Sequence, residues 1–278
     1  MKDLKSINTV AKSTILIESN AIANLVNLID DNFEASVKCI LNSKGRVIVT
    51  GIGKSANIAT KIVATFNSTG TPAIFMHAAD AIHGDLGAVQ NNDVVICISK
   101  SGNTPEIKVL VPLIQNYGNK IIAITGNTDS FLGTNADFTL NTYVEKEACP
   151  NNLAPTTSTT AQLVMGDALA VCLLKLKGFS SNDFAKYHPG GALGKRLFLR
   201  VSDLIKNNEI PKVDKKSSIS KVIVEITEKR LGVTAVIEDD KIIGIITDGD
   251  IRRMLTKSTE ISTMFASDIM SKNPKTIS

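Results

Sequence analysis

DVVICISKSGNTPEIKVLVPLIQNYG, residues 93 to 118, contains the pattern that decides the fold. An apolar run, Val94 to Ile98, is followed by a short loop of small hydroxyl side chains and one glycine. From Pro105 onward the apolar residues recur at helical intervals. Strands buried on both faces are continuous apolar runs, so this stretch predicts one strand–loop–helix unit of a parallel sheet.

The same order of elements recurs along the first two thirds of the chain. The other predicted strands are RVIVTG (46 to 51), PAIFMH (72 to 77), NKIIAITG (119 to 126) and ADFTLNT (136 to 142). Amphipathic helices are predicted between the strands, within residues 1 to 44, and from about Thr157 to Lys177. Residues 1 to 198 are therefore predicted to form an α/β domain with a doubly wound parallel five-stranded sheet.

The sequence changes in character after Arg200. A charged passage precedes a predicted helix (ISKVIVEITEKR), a strand (TAVIED), an Asp-Asp-Lys turn and another strand (KIIGIITD). These elements predict a second, smaller α+β domain over residues 201 to 260. Residues 265 to 278 contain ASDIMSKNPKTIS, which resembles the opening VSDLIKNNEIPKV, so they are predicted to begin a second, incomplete copy of the repeat.

The composition favours a globular protein that binds small molecules. Of 278 residues, 43% are hydrophobic and 4% aromatic, and the net charge of +4 is spread along the chain, which predicts no nucleic-acid or membrane partner. Four scattered cysteines indicate a reducing compartment. The most apolar window, LVMGDALAVCLLKL, contains Asp167 and is predicted to be too short to span a bilayer. Because the N-terminus lacks a signal peptide's apolar stretch, a cytoplasmic location is expected.

SKSGNTPE, residues 99 to 106, has the features of a phosphate-binding loop. It supplies three hydroxyls and a glycine, from Ser99, Ser101, Thr104 and Gly102. The helix that follows presents free N–H groups and the positive end of its dipole. The alternative is simple helix capping, because Asn103 and Glu106 are spaced as a capping box.

TGIGKSA, residues 50 to 56, is another glycine-rich turn between a strand and a helix. A Walker A loop would need glycine at Ile48, so that type of nucleotide site is disfavoured. Gly51, Gly53 and Ala56 satisfy the Rossmann pattern, but the acidic residue expected after the next strand is missing. A dinucleotide-binding turn and a plain strand-to-helix turn both remain open.

The three histidines lie in two distinctive segments. HAADAIHGDLG (77 to 87) places His77 and His83 beyond a strand, where they could share a metal with an aspartate, although the spacing matches no standard zinc motif. A catalytic or substrate-contacting role for His83 is favoured. His188 lies in KYHPGGALGKR (186 to 196), where proline and glycines hold it in a shaped loop. It is either an ordinary loop residue or an acid/base group.

A further polar segment, EKEACPNNLAPTTSTT (145 to 160), enters the last helix of the first domain. By itself, its hydroxyl cluster is typical of a helix N-cap, and Glu145 and Glu147 are exposed by default.

Taken together, these segments resemble the sugar isomerase (SIS) domain and, more specifically, the D-arabinose 5-phosphate isomerase family. The matching segments are GIGKSA, STGTP, HAADAIHGDLG, SKSGNTPEI, EACPNNLAPTTSTT and YHPGGALGKRL, in that order, with a CBS-like region after them. The resemblance implies the SIS fold for residues 1 to 198 and a CBS domain for the second domain. The catalytic residues that it implies are Lys54, His83, Glu106, Glu147 and His188.

The resemblance also implies ligands and assembly. The implied substrate-binding residues are Gly70, Thr71, His77, His83, Ser99, Ser101, Gly102 and Thr104. No cofactor is required, and His77 falls where the family can bind an inhibitory divalent metal such as zinc. Thr247 and Asp248 resemble CBS contacts to a nucleotide or nucleotide-sugar. A homotetramer is expected, in which His188 comes from a neighbouring subunit.

The implied reaction is reversible aldose–ketose isomerisation of D-arabinose 5-phosphate and D-ribulose 5-phosphate through an enediol. It would supply synthesis of Kdo, a sugar of lipopolysaccharide. Phosphate is assigned to Ser99, Ser101 and Thr104, and charge stabilisation to Lys54. Two alternatives are a non-catalytic sugar-phosphate sensor that signals through the CBS unit, and a nicotinamide-dependent oxidoreductase.

Overall fold

The computed structural model describes residues 4–191, 194–195, 200–205, 208–257 and 261–276. The chain divides into two compact units, Met1–Leu197 and Phe198–Ser278.

The first unit contains the predicted five-stranded parallel sheet. Its strands are β1 (Val47–Gly51), β2 (Ala73–His77), β3 (Val94–Ile98), β4 (Lys120–Thr125) and β5 (Phe138–Asn141). They lie in the order β2-β1-β3-β4-β5, and every neighbouring pair is parallel. The central strands β1 and β3 are buried along their whole length, which is why the sequence of each is an unbroken apolar run.

Helices cover both faces of this sheet. They are α1 (Leu4–Leu25), α2 (Asp31–Asn42), α3 (Lys54–Ser68), α4 (Ala78–Ala81), α5 (Pro105–Asn116), α6 (Phe131–Asn135), α7 (Thr157–Leu176) and α8 (Ser181–Tyr187). Short 3-10 helices span Val26–Leu28 and Asp85–Ala88. Alternate residues of each strand point to opposite faces, so Val47 and Val49 pack with α2, α3 and α7, whereas Ile48 packs with α4 and α5. The predicted doubly wound α/β fold is confirmed.

Helix α7 corrects one expectation from the sequence. It has 20 residues and, by length and composition alone, is apolar enough to cross a membrane, so the prediction that this segment is too short was wrong. Its Ala161, Met165 and Leu169 are buried in the core of the first unit. Its Asp167 pairs with Lys61 of α3. These contacts are those of a core helix in a globular domain.

The second unit is built on a four-stranded sheet. Its strands are β6 (Lys212–Asp214), β7 (Val233–Glu238), β8 (Lys241–Thr247) and β9 (Ser271–Lys272), in the order β6-β7-β8-β9. Helices span Val201–Ile205, Ile219–Lys229, Asp248–Lys257 and Ala266–Ile269, and a 3-10 helix spans Ile261–Thr263. The predicted Asp-Asp-Lys turn joins β7 to β8, with φ of 45° at Asp239 and 59° at Asp240.

A small apolar core holds the second unit together. Its buried members are Val213, Val222, Ile226, Val236, Ile246 and Ala266. The helix Ala266–Ile269 and the strand Ser271–Lys272 are a short helix and a short strand, as are Val201–Ile205 and Lys212–Asp214. The start of another repeat at residue 265 stays a prediction.

Candidate active site

A crevice opens where the strand order reverses, between β1 and β3. Gly51 at the end of β1 pairs with Ile98 at the end of β3, so the loops after the two strands are neighbours. Helix α3 leaves β1 for one face of the sheet, and α5 leaves β3 for the other. Such a switch point, at the carboxyl ends of the strands, is where open α/β sheets bind their ligands.

The loop at residues 99–104 is preorganised by its own hydrogen bonds. Ser99 Oγ and Thr104 Oγ1 lie 2.8 Å apart, and the Gly102 N–H donates to Ser99 Oγ over 3.1 Å. Gly102 has φ of +64°, and a Cβ atom there would lie 1.8 Å from Ser130 Oγ. Only glycine fits this position, because any side chain would be strained and would clash with Ser130.

The N-terminus of α5 lacks a side-chain cap. Thr104 is the N-cap and Pro105 follows in the first turn, but the Thr104 side chain makes no capping hydrogen bond to the first N–H groups. The alternative capping box of Asn103 and Glu106 is therefore wrong. Instead, Asn103 bonds to the Ser101 carbonyl and to the Phe131 N–H. The free N–H groups, the hydroxyls and the helix dipole together make a site suited to a phosphate.

These loops form one wall of a cavity of about 280 Å³. Its lining residues are Ile52, Lys54, Ser55, Ile98, Ser99, Lys100, Ser101, Thr104, Pro155, Ser158, Thr159 and Gln162. The predicted phosphate-loop hydroxyls and Lys54 therefore share one cavity. Sequence reasoning did not select Ser55, Lys100, Ser158, Thr159 or Gln162, although Lys100 lies inside the loop that it did select.

Glu147 is a buried and fully hydrogen-bonded carboxylate at the entry to α7. Glu147 is only 2% exposed. The sequence pattern alone predicted an exposed residue here, and that prediction was wrong. Oε1 accepts from Lys100 Nζ over 2.6 Å and from Ser158 Oγ, and Oε2 accepts from the N–H groups of Thr156 and Ser158. Burial alone would raise the pKa of Glu147, but these hydrogen bonds outweigh it and lower the pKa to about 2.

Glu147 should make the first unit sensitive to acid. Because its pKa in the folded protein lies below the ordinary 4.5, its ionised form stabilises the fold above about pH 4.5, and this stabilisation is lost as the pH falls toward 2. We expect Glu147→Gln to lower the free energy of unfolding by about 3 kcal/mol at pH 7 and by roughly half as much at pH 3. Urea unfolding at both pH values measures this difference.

The control for that measurement is Glu145→Gln, because Glu145 is an exposed glutamate two residues away. Its substitution should change the free energy of unfolding little at either pH. An equal loss for Glu147→Gln at pH 7 and pH 3 would show that the carboxylate's charge does not stabilise the fold.

Lys54 and Glu106 occupy the first turns of the two helices that flank the crevice. Lys54 is the first residue of α3, is exposed, and lines the cavity. Glu106 is half-buried in the first turn of α5, two residues after Thr104. Both predicted catalytic residues are therefore placed at the same edge of the sheet as the phosphate loop.

His77 and His83 lie beyond β2 at this edge. His77 is next to Gly51 in strand register. Its Nδ1 is buried, makes no hydrogen bond to any residue that the structure describes, and lies 3.6 Å from Asp80 Oδ2. His83 is exposed in the turn after α4. Within the described residues, no group of three or more His, Cys, Asp or Glu side chains is arranged to hold a metal ion. An inhibitory metal at His77 stays a prediction.

His188 lies at the opposite edge of the sheet. Its Nε2 is 3.2 Å from Ser68 Oγ at the end of α3, its Nδ1 is 2.9 Å from the Phe184 carbonyl oxygen, and its ring stacks on the Phe184 ring. The predicted Gly70 and Thr71 lie at the same edge, where Lys177 Nζ donates to the Gly70 carbonyl and to Thr71 Oγ1. The chain arrives there because α7 runs from the cavity to Lys177 and α8 follows.

The length of helix α3 gives the distance between the crevice and the edge that holds His188. It has 15 residues and joins Lys54 at the crevice to Ser68 beside His188. At about 1.5 Å per residue, the two ends are roughly 20 Å apart. One subunit therefore does not bring His188, Gly70 and Thr71 together with Lys54, Glu106 and the phosphate loop.

The predicted CBS ligand residues form a helix N-terminus in the second unit. Thr247 Oγ1 donates to Asp250 Oδ2 over 2.7 Å, and the Asp250 N–H donates back to Thr247 Oγ1. The Asp248 N–H bonds to the Gly232 carbonyl. Burial would raise the pKa of Asp250, but the bonds from Thr247 and Arg253 outweigh it and lower the pKa. A nucleotide at Thr247 and Asp248 stays a prediction.

A phosphate loop and three helix N-termini around the switch point of a five-stranded parallel sheet define an SIS-domain protein. The SIS domain model matches residues 40–172, and the CBS domain model matches residues 201–257. The chain belongs to the arabinose 5-phosphate isomerase family. It is 51% identical over 272 residues to arabinose 5-phosphate isomerase KdsD of Francisella tularensis, covering 96% of this chain and 83% of the relative.

Other relatives agree with this assignment. Arabinose 5-phosphate isomerase KdsD of Escherichia coli K12 is 47% identical, covering 93% of this chain and 80% of the relative. A solved Escherichia coli CFT073 protein in complex with arabinose 5-phosphate has a TM-score of 0.65 and 39% identity, covering 67% of this chain and all of that one. A putative sugar-phosphate isomerase of Listeria monocytogenes has a TM-score of 0.66 and 35% identity, covering 68% of this chain and all of that one. The predicted family, fold class and isomerase assignment are confirmed.

Proposed function

We propose that the protein reversibly converts D-arabinose 5-phosphate into D-ribulose 5-phosphate through an enediol intermediate. The observation that carries this proposal is the cavity in which the uncapped N-terminus of α5, the loop hydroxyls and Lys54 meet. A related protein of the same fold has been solved with arabinose 5-phosphate. The reaction moves hydrogen within one molecule, so the proposal requires no cofactor.

The phosphate group binds at the N-terminus of α5. Ser101 and Thr104 contribute hydroxyls, and Ser99 holds Thr104 in place through the 2.8 Å hydrogen bond between their oxygens. The free N–H groups of the first turn and the positive helix end favour the dianion. Binding of the phosphate leaves the sugar carbons inside the cavity, next to Lys54 and the N-terminal turn of α7.

The chemistry requires a base, an acid and a cation. After ring opening, with the assistance of His83, a base removes the proton from C2 and the electron pair forms the C1–C2 double bond of the enediolate. Lys54 stabilises the negative charge on oxygen. A proton moves between O1 and O2, and a proton added to C1 gives the ketose. We assign these proton transfers to Glu106, placed beside the phosphate loop, and to His188.

Glu147 acts in this proposal as a positioning residue. With a pKa of about 2 and its oxygens hydrogen-bonded, it stays ionised at neutral pH and is a poor proton donor or acceptor there. Its bonds instead hold Lys100 and Ser158 on the wall of the cavity.

The active site is composite in this proposal. The edge opposite the crevice, where the strands begin, holds His188, Gly70 and Thr71. This edge is about 20 Å along α3 from Lys54. We therefore propose that these three residues complete the site of another subunit within a homotetramer. Arabinose 5-phosphate, formed when the reaction runs from the ketose to the aldose, would supply Kdo synthesis, as the name KdsD of the relatives suggests. We propose a cytoplasmic location for this reaction.

A coupled assay with purified protein tests this function. We expect ketose formation from arabinose 5-phosphate in a panel that also contains glucosamine 6-phosphate and hexose 6-phosphates. Turnover of a hexose phosphate without turnover of arabinose 5-phosphate would overturn the substrate. Binding of arabinose 5-phosphate without turnover of any member would instead favour the sugar-phosphate sensor.

A further inference from the structure

Gln162 is a buried polar residue on the wall of the cavity. It lies on α7 one turn after Ser158 and is only 1% exposed. The neighbouring Ala161 and Met165 are buried in the apolar core, whereas Gln162 lines the cavity. Glutamine is rarely buried so completely without a specific hydrogen-bonding role.

The oxygen of the Gln162 amide is hydrogen-bonded to a neighbouring helix. Ser55 Oγ donates to Gln162 Oε1 over 3.2 Å, a contact that joins α3 to α7. Gln162 Nε2 has no hydrogen-bond partner among the residues that the structure describes, and the cavity is the space that the side chain borders. The amide NH2 group of Gln162 carries two N–H donors at the wall of the cavity, so it is suited to an acceptor that enters the cavity.

The position of Gln162 indicates which part of a ligand it would meet. The phosphate loop comes from β3 and α5, whereas Ser55 and Gln162 come from α3 and α7, which cover the other face of the sheet. A sugar phosphate held by the loop extends its carbohydrate part toward this opposite wall. A neutral amide donor there suits a hydroxyl or carbonyl oxygen, and it discriminates against ligands that lack the oxygen.

We infer that Gln162 is a substrate-binding residue that donates an N–H hydrogen bond to a sugar oxygen, and that Ser55 positions its amide. This inference rests on the proposed function and adds a specificity-determining contact to it. The substrate class is a polyhydroxylated sugar phosphate, recognised at its phosphate by the α5 loop and at its carbohydrate by Gln162.

Gln162→Met provides the main test, because methionine has a similar length but no N–H donor. We expect kcat/KM for arabinose 5-phosphate to fall about 10-fold, and its calorimetric affinity to fall by a similar factor. Inhibition by inorganic phosphate should stay unchanged, because the loop at residues 99–104 is intact. Ser55→Ala should cause a smaller loss, about threefold, since the amide keeps its donor but loses its orientation.

The matched control is Gln115→Met, the same substitution at an exposed residue near the end of α5. It should leave kcat/KM, sugar affinity and phosphate inhibition unchanged. The inference is overturned if Gln162→Met keeps wild-type kcat/KM and affinity, or if it weakens phosphate inhibition and sugar affinity equally.

The failure of the proposed function is a separate result. If the wild-type protein does not turn over arabinose 5-phosphate, the function fails, and calorimetry with the same sugar phosphate still decides the role of Gln162. Weaker sugar binding with unchanged phosphate binding then supports the contact, whereas equal binding by wild type and Gln162→Met overturns it.

Discussion

Glu106→Gln is expected to lower kcat for arabinose 5-phosphate by at least about 100-fold, the usual contribution of a positioned general base. Glutamine preserves the size of the side chain and its hydrogen-bonding capacity, but it cannot accept the C2 proton. Glu106 is half-buried in the first turn of α5, beside the loop proposed to hold the phosphate. Affinity for inorganic phosphate should therefore change little while turnover is lost.

Deuterium wash-in at C2 separates this role from a general loss of activity. In D₂O the wild-type enzyme should exchange the C2 proton of the substrate, and Glu106→Gln should not. Glu228→Gln, at an exposed position in the second unit, is the matched control and should exchange at the wild-type rate. Wild-type exchange by Glu106→Gln would assign the base to His188 instead.

Most of the first unit could be predicted from the sequence, because its strands and helices are marked by patterns within short stretches of residues. A strand buried on both faces is a continuous apolar run, so the central strands β1 and β3 were readily recognisable, and a helix that returns to a parallel strand must follow each of them. The carboxyl ends of the strands then lie at one edge. For this reason the loops after β1 and β3 could be identified as parts of one site.

The chemistry of Glu147 could not be predicted, because it depends on contacts that are distant in sequence. Lys100 is 47 residues away and Ser158 is 11 residues away, and together they turn an apparently exposed acid into a buried anion. Gln162 was missed for another reason. It stands in an apolar helix, and only the approach of α3 places Ser55 against it.

The position of His188 in the fold could not be predicted from the sequence. Its loop was recognisable from Pro189 and the following glycines, but the edge of the sheet to which α7 and α8 carry it is a property of the fold. The site defined by the family resemblance is therefore divided between the two edges of a single subunit. In the proposed function a second subunit brings the two parts together.

His188→Ala is expected to lower kcat by about 100-fold or more if the His188 of a partner supplies a proton in the reaction. The substitution removes stacking on the exposed Phe184 and a contact with the half-buried Ser68. Neither contact lies in the buried core, so the fold should survive. A melting curve close to that of the wild type checks this. Phosphate affinity should also be retained, because in the proposed site the partner's His188 transfers a proton at the sugar carbons, whereas the phosphate binds at the α5 loop.

Mixed oligomers of Glu106→Gln and His188→Ala subunits test the shared site most directly. The two variants, carrying different affinity tags, are co-expressed and purified through both tags in sequence. If each site takes its Glu106 from one subunit and its His188 from another, as proposed, random assembly should restore about one quarter of wild-type turnover. Activity no higher than that of the two variants alone would contradict a site shared between subunits.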